Sequence, residues 1–178
     1  EPLLYTLKVS IGSNSPVYRK FGCREIVLNQ DKDSVGSSFY FTINGKRKFI
    51  KGSNIVPPDL IPSRVRDDVY ENLVLQAKNA NMNMLRIWGG GYYFPDEFYD
   101  YCDRYGIMIW QDFMFACAMY PGDDAFMSTT KQEIIEQVNR LKSHPCIALF
   151  CGNNESDEGW KNWGWQSQFK YSTSDSAA

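Results

Sequence analysis

The pattern of hydrophobic and polar positions divides the chain into a strand-like beginning and a longer segment in which helices and strands alternate. Leu4 to Ile11 alternates loosely and Arg19 to Leu28 extends again, with the turn cluster Gly12 to Pro16 between them. The polar segment Asn29 to Ser38 predicts a linker between two units. Asn44-Gly45, between two further strand-like runs, then predicts a hairpin.

After the hairpin, helical and strand patterns alternate three times. One predicted helix begins at the cap residue Ser63, a second begins around Pro95, and a third begins with the capping box Thr130 to Glu133. Short apolar strands that each follow an amphipathic helix predict a parallel sheet covered by its helices, so the predicted class is α/β. The predicted strands of this sheet are Phe49 to Lys51, Met84 to Trp88, Ile107 to Trp110 and Ile147 to Cys151.

Two α/β architectures are compatible with this order of elements. A doubly wound sheet usually carries a Gly-x-Gly-x-x-Gly turn after its first strand, whereas Gly89-Gly90-Gly91 follows a later strand and lacks that spacing. A TIM (β/α)8 barrel places its chemistry at the carboxyl ends of the strands, where this chain has Trp88, Gln111-Asp112 and Asn153 to Glu155. We favour a partial barrel of about strands 1–4, because a complete barrel needs roughly 250 residues.

Composition removes several classes of partner. The 178 residues carry a net charge of -2 without a run of one sign, so we expect neither a nucleic acid nor an anionic membrane surface as partner. The single histidine, His144, argues against a His-rich metal site, and five cysteines without a C-x-x-C pair are typical of small buried residues. We expect no metal and no cofactor. The 15% aromatic content suits a surface that stacks on the apolar faces of a ligand.

The carboxyl group of Glu155 is the first candidate for chemistry. It follows a predicted strand and stands next to Asn154, ahead of a cluster of tryptophans at positions 160, 163 and 165. Burial among rings disfavours the charged form of a carboxyl group and suits it to act as a general acid. The alternative interpretation is a solvated loop glutamate.

A second carboxylate is needed for glycoside hydrolysis, and Asp112 is the other acidic residue at a predicted strand end. An aspartate in that position more often holds an arginine or a backbone amide. Arg86 points the same way as Trp88, into the barrel, where an unpaired guanidinium is costly, so it needs a carboxylate partner. Trp88 and Trp163 are candidates to stack on a sugar ring, although tryptophans in such sheets often belong to the core.

Several segments resemble the β-mannosidases of glycoside hydrolase family 2. Three of them carry the motifs Leu-Arg-Ile-Trp-Gly-Gly-Gly at 85–91, Trp-Gln-Asp-Phe-Met-Phe-Ala-Cys at 110–117 and Cys-Gly-Asn-Asn-Glu at 151–155. Lys51 to Asn54 is similar to the first barrel strand of that family, and Phe21 to Arg24 to the strand that ends its immunoglobulin-like domain. The resemblance spans nearly the whole chain and favours the mannosidase branch over the galactosidase and glucuronidase branches.

The resemblance implies two units and an activity. Residues 1–30 would end an immunoglobulin-like β-sandwich, and residues 39–178 would form the N-terminal half of the catalytic barrel. The implied function is retaining exo-hydrolysis of terminal, non-reducing β-D-mannose, with a β-mannoside oligosaccharide or glycoside as the partner. The nucleophile of the family lies on a much later strand, so we expect it in the remainder of the parent polypeptide and expect this chain to be inactive alone. The alternative is a non-catalytic carbohydrate-binding fragment.

The same resemblance implies a role for individual residues. Glu155 is similar to the acid/base of the family, and Asn154 to the residue that contacts the sugar 2-hydroxyl. Trp88 and Trp163 match its sugar-binding tryptophans. Arg86 resembles the arginine that orients the nucleophile. Asp112 and Asn54 are further possible site residues.

Overall fold

The strands in the described part of the chain form three separate sheets. The computed structural model describes residues 2–168, so the end of the second predicted unit, residues 169–178, lies outside the described residues. A two-stranded and a three-stranded antiparallel sheet come first, and a four-stranded parallel sheet follows. The strands are β1 (Tyr5–Val9), β2 (Val17–Phe21), β3 (Ile26–Asn29), β4 (Tyr40–Ile43), β5 (Lys46–Lys48), β6 (Gly52–Ile55), β7 (Met84–Ile87), β8 (Met108–Asp112) and β9 (Ile147–Cys151).

Helices separate the strands of the parallel sheet, which gives the mixed α/β class that the sequence predicts. Each of the three crossovers within the sheet contains one long helix. Among residues 2–168, no helix has both the length and the apolar character needed to cross a membrane. The helices are a 3₁₀ turn (Pro62–Arg64), α1 (Asp67–Asn79), α2 (Asp96–Tyr105), α3 (Asp124–Leu141), α4 (Ser156–Asn162) and α5 (Trp165–Gln168).

The predicted parallel sheet is confirmed, with its strands in the order β6-β7-β8-β9. Because neighbouring strands run the same way, their carboxyl ends at Ile55, Ile87, Asp112 and Cys151 meet at one edge. A register shift between Ile109 and Trp110 changes the pairing of β8 with β9. This edge carries the candidate site.

The hydrophobic core lies between one face of the parallel sheet and the helices. Leu85 and Ile109 are buried on that face, and the rings of Phe94 and Phe98 meet edge to face with centroids 4.9 Å apart. On the other face, Arg86 and Trp110 are only half-buried. The expectation that helices cover both faces therefore holds for one face of the described residues. The open face is the one that presents Arg86.

The first strand of the parallel sheet begins later than the sequence pattern predicts. We predicted Phe49 to Lys51, whereas β6 starts at Gly52. A Cβ atom at residue 52 would lie 1.9 Å from the carbonyl oxygen of Met84, so the close approach of β6 to β7 requires glycine. The polar run from Gly52 to Asn54 hides this strand, because its side chains are exposed here and give no apolar signal.

Two predicted helix starts are also wrong. Ser63 lies in the 3₁₀ turn, and α1 begins four residues later at Asp67 without a side-chain cap. Thr130 lies inside α3, which begins at Asp124 because the side chain of Asp123 accepts a hydrogen bond of 3.0 Å from the Phe126 amide. The capping-box spacing at Thr130 is therefore coincidental.

The amino-terminal strands differ from the predicted pattern at one break. The single run predicted from Arg19 to Leu28 is divided into β2 and β3, and between them the guanidinium of Arg24 binds the carbonyl oxygens of Pro145 and Ile147. This contact ties the break to the beginning of β9.

The predicted hairpin is confirmed, since Asn44 and Gly45 have the positive φ angles of 49° and 73° that a tight turn between β4 and β5 requires.

The predicted linker joins two strands of one sheet. β3 and β4 lie on either side of it and pair antiparallel, with Asn29 opposite Tyr40. The side chain of Asn29 also donates a hydrogen bond of 2.9 Å to the Thr42 hydroxyl. The division into units at residues 30 and 39 stays a prediction, and hydrogen bonds connect its two sides.

A buried carboxylate–imidazole pair makes the stability of the fold depend on pH. Asp103 on α2 lies 2.7 Å from Nδ1 of His144 and accepts a hydrogen bond of 2.7 Å from the Cys146 amide. Burial by itself lowers the pKa of His144, but the hydrogen bond to Asp103 and the charges of Asp103 and Asp100 outweigh it and raise that pKa above 6.5. The protonated pair therefore stabilises the folded state.

We expect the free energy of unfolding to fall as pH rises above about 6.5, the unfolded pKa of histidine. A raised folded-state pKa stabilises the fold fully below the unfolded value of about 6.5, and the contribution is lost as pH rises through the folded value. Denaturant titrations at several pH values measure this change. Asp103→Asn keeps an acceptor for Cys146 but removes the charge nearest the ring, so its profile should be shallower than that of the unsubstituted protein; equal slopes would contradict the assignment.

Candidate active site

Four residues singled out in the sequence meet at the carboxyl edge of the parallel sheet. Arg86 comes from β7 and Asp112 ends β8, while Asn154 and Glu155 follow β9. The pairing of β8 with β9 continues past the strands through a parallel bridge between Ala116 and Asn154. The backbone thus holds the loops after both strands side by side.

A bidentate ion pair joins β7 to β8 beneath this edge. Arg86 donates from Nε to Oδ1 of Asp112 over 3.1 Å and from Nη2 to Oδ2 over 2.7 Å. Asp112 is completely buried and also accepts from the Gly89 amide and from Nε1 of Trp110. This hydrogen bonding raises the pKa of Arg86 and keeps it charged. The prediction that Arg86 needs a carboxylate partner is confirmed, and Asp112 is that partner.

Asn154 connects the ion pair to Glu155. Its side chain is buried, and its Oδ1 accepts a hydrogen bond of 2.8 Å from Nη2 of Arg86. Because a guanidinium can only donate, this contact fixes the orientation of the amide. The Nδ2 group therefore points the other way, where it donates to Oε2 of Glu155 over 3.0 Å and to Sγ of Cys117 over 3.3 Å.

Glu155 stands at the entrance to α4 in a left-handed backbone conformation, with φ 60° and ψ 15°. Its side chain is exposed, which differs from the predicted burial among tryptophans. Trp163 lies after α4 with 42% of its surface exposed and packs edge to face against Trp165, centroids 5.6 Å apart. Within residues 2–168, the groups recorded at the Glu155 carboxylate are an amide and a thiol.

The three glycines after β7 provide space for close packing. A Cβ atom at Gly90 would lie 2.0 Å from the ring of the half-buried Trp88, and one at Gly89 would lie 2.5 Å from the carbonyl oxygen of Phe113. The ring of Trp88 thus folds over its own loop. Asn54, also exposed, lies opposite Arg86 in the register of β6 and β7. Trp88 and Asn54 therefore lie at the same edge of the sheet as Glu155.

Cys117 is the site residue that the sequence pattern misses. The prediction that the cysteines are small buried residues fits Cys102 and Cys146 but is wrong for Cys23 and Cys117, which are exposed. The sulfur of Cys117 lies 3.7 Å from Oε2 of Glu155. Its position inside the 110–117 motif is a weak signal for a site residue. Nothing in the spacing shows that it reaches a residue 38 positions later.

A group with metal-ligand chemistry lies beside the N-terminal ends of the strands, away from this edge. Atoms of Asp103, His144 and Cys146 capable of ligating a metal lie within 4.8 Å of one another. The two carboxylate oxygens of Asp103 already bind His144 and the Cys146 amide. These hydrogen bonds satisfy the carboxylate without an ion, so we interpret the group as structural.

Comparison with known proteins identifies the family. The chain is 51% identical over 140 residues to the β-mannosidase of Capra hircus, which covers 76% of this chain and 16% of that protein. The crystal structure of a β-D-mannosidase from Dictyoglomus thermophilum matches with a TM-score of 0.83 and 42% identity, over 90% of this chain and 20% of that one. No family model matches the chain. The chain belongs to the β-mannosidases of glycoside hydrolase family 2.

The extent of these matches limits what they show. The chain spans about a sixth of the length of the curated relatives, so the comparisons describe one segment of a longer enzyme. A β-glucuronidase of Parabacteroides merdae matches with a TM-score of 0.72 over 88% of this chain at 21% identity, which shows a shared fold alone. The fold is therefore shared by enzymes other than mannosidases.

We expect Arg86→Ala to destabilise the protein by about 3 kcal/mol, since it leaves the charge of Asp112 buried without a partner. Arg66→Ala breaks a second Arg–Asp pair, with Asp68, whose side chains are 78% and 55% exposed, and should cause no measurable change. Denaturant unfolding of the two variants gives the comparison. Equal stability of both variants would show that Asp112 does not depend on its ion pair.

Proposed function

We propose that this chain supplies the acid/base half of the active site of a retaining exo-β-mannosidase. The observation that carries the proposal is the hydrogen-bonded chain from Arg86 through Asn154 to Glu155, at the carboxyl edge of a parallel sheet in a member of this family. The substrate class follows from the relatives, which are β-mannosidases. The expected substrate is a terminal, non-reducing β-D-mannose.

The proposal includes an architecture. The four parallel strands in consecutive order correspond to strands 1–4 of a (β/α)8 barrel, in which the open face with Arg86 would line the interior. Residues 1–30 would end an immunoglobulin-like sandwich, and residues 39–178 would form the first half of the barrel. The consecutive parallel order of β6 to β9 and the TM-score of 0.83 with the D. thermophilum β-D-mannosidase support the proposed half-barrel.

In the proposed mechanism, Glu155 acts twice. It first donates its proton to the glycosidic oxygen while the bond from that oxygen to C1 breaks and its electron pair stays on the leaving oxygen. A second carboxylate attacks C1 from the opposite face and forms the glycosyl-enzyme. Glu155 then removes a proton from the water that hydrolyses this intermediate. The exposure of Glu155 leaves room for the leaving group.

The second carboxylate would come from outside these 178 residues. A retaining enzyme needs it roughly 5–5.5 Å from the acid/base, and Asp112 is unsuited because it is completely buried and bound to Arg86. One quarter of the Arg86 side chain remains exposed on the open face of the sheet. This partial exposure supports a role for Arg86 in orienting an incoming carboxylate.

Binding of the sugar ring would use the residues around the acid/base. Trp88 and Trp163 offer apolar ring surface to the C–H face of a sugar. One lone pair of the Asn154 Oδ1 atom accepts the hydrogen bond from Arg86. The second lone pair can accept a hydrogen bond from the sugar 2-hydroxyl. Asn54, exposed on the neighbouring strand, is a further hydrogen-bonding group.

Glu155→Gln, placed in the parent polypeptide, tests the acid/base role. We expect kcat/KM on mannobiose to fall by about 10²–10⁴, because the leaving oxygen is no longer protonated. The effect on kcat/KM for a dinitrophenyl mannoside should be far smaller, since that phenolate leaves with little help. Azide attacks without a general base, so added azide should accelerate turnover and give β-mannosyl azide, detected by NMR.

Glu158→Gln is the matched control, because Glu158 is an exposed carboxylate on α4 that accepts a hydrogen bond of 2.8 Å from the Asn162 amide. It should leave both substrates and the azide response unchanged. If Glu155→Gln lowers kcat/KM equally for both substrates and azide gives no product, the acid/base lies elsewhere and the proposal fails.

A further inference from the structure

The loop after β8 brings a thiol to the carboxylate of Glu155. Cys117 and Glu155 both have left-handed backbone conformations, with φ 48° and 60°, which are uncommon for residues other than glycine. The Cys117 amide donates to the carbonyl oxygen of Asn154 over 3.2 Å, next to the bridge between Ala116 and Asn154. The two unusual conformations therefore face each other across one backbone contact.

Two donors converge on a single oxygen of Glu155. Nδ2 of Asn154 and Sγ of Cys117 both lie at hydrogen-bond distance from Oε2, 3.0 Å and 3.7 Å away. Arg86 fixes the amide of Asn154, so Nδ2 cannot be exchanged for an acceptor without breaking the bond to Oδ1. Asn154 also donates to the sulfur, which leaves the thiol hydrogen to point at Oε2.

We infer that Cys117 is a positioning residue that, together with Asn154, holds Oε2 of Glu155 and reserves Oε1 for proton exchange with the substrate. This inference rests on the proposed acid/base role of Glu155. A proton on Oε2 would face two donor hydrogens, so the protonated form carries its proton on Oε1. The two oxygens of one carboxyl group thereby acquire different tasks, and the reacting oxygen points away from the Asn154–Cys117 pair.

Cys117→Ala in the parent polypeptide tests this division. Alanine keeps the Cβ atom and the same backbone strain, so the change removes only the sulfur, which donates to Glu155 and accepts from Asn154. We expect kcat/KM on mannobiose to fall about tenfold, as for one lost hydrogen bond to a charged group. The dinitrophenyl mannoside should lose far less, because it does not require a positioned proton. Cys23→Ala, an exposed cysteine on the amino-terminal segment, is the matched control and should change neither value.

A second measurement does not depend on catalysis. The hydrogen bond from the Cys117 thiol to Oε2 of Glu155 has to break before iodoacetamide can react with the sulfur. Glu155→Gln replaces the carboxylate with a weaker, neutral acceptor and should therefore increase the alkylation rate of Cys117 about fivefold, the factor for about 1 kcal/mol of hydrogen bonding. Mass spectrometry of the individual peptides follows the rate, with Cys23 as an internal reference that should not change.

The outcomes separate this inference from the proposed function. A parent protein that hydrolyses no β-mannoside would refute the proposed function, and the alkylation rates would still decide whether Cys117 and Glu155 interact. Equal losses on both substrates in Cys117→Ala would overturn the positioning role and indicate a general structural one. Identical alkylation rates of Cys117 with and without the Glu155 carboxylate would also overturn it.

Discussion

The bidentate bond between Arg86 and Asp112 is the interaction on which the rest of the site depends. It neutralises a completely buried carboxylate, and the Nη2 group that bonds Asp112 also donates to Asn154 and orients that side chain. That amide in turn fixes one oxygen of Glu155. The position of an exposed side chain is thus determined by a charge pair at the base of the sheet, through residues contributed by three consecutive parallel strands.

Much of the fold follows from the sequence pattern because its signals are strong and local. The positive φ angles of Asn44-Gly45 and the apolar run Ile147–Cys151 each have a direct physical cause in residue type. The pattern does not predict the start of β6, because the polar side chains of this strand give no such signal. It also does not predict the start of α3, because the cap at Asp123 competes with an equally plausible motif at Thr130. Boundaries set by backbone contacts between distant segments were beyond the reach of local patterns.

Some features of the site can likewise be predicted from the sequence, and others cannot. That Arg86 requires a carboxylate could be predicted, because an unpaired charge inside a sheet is costly wherever it lies. The contact of Cys117 with Glu155 could not, because it depends on two left-handed residues in different loops and on the bridge between Ala116 and Asn154. The exposure of Glu155 was likewise missed, since the tryptophans that follow it in sequence pack among themselves at Trp163 and Trp165.

The ion pair between Arg86 and Asp112 also depends on the register of β7 and β8. Shifting β8 by one residue relative to β7 would turn Asp112 to the opposite face and leave Arg86 without its partner. A sheet with this shift would lose the ion pair and, with it, the contacts that position the Glu155 carboxylate. The shifted protein would therefore be both less stable and inactive. The Arg86–Asp112 bond thus makes activity depend on the correct register of β7 and β8.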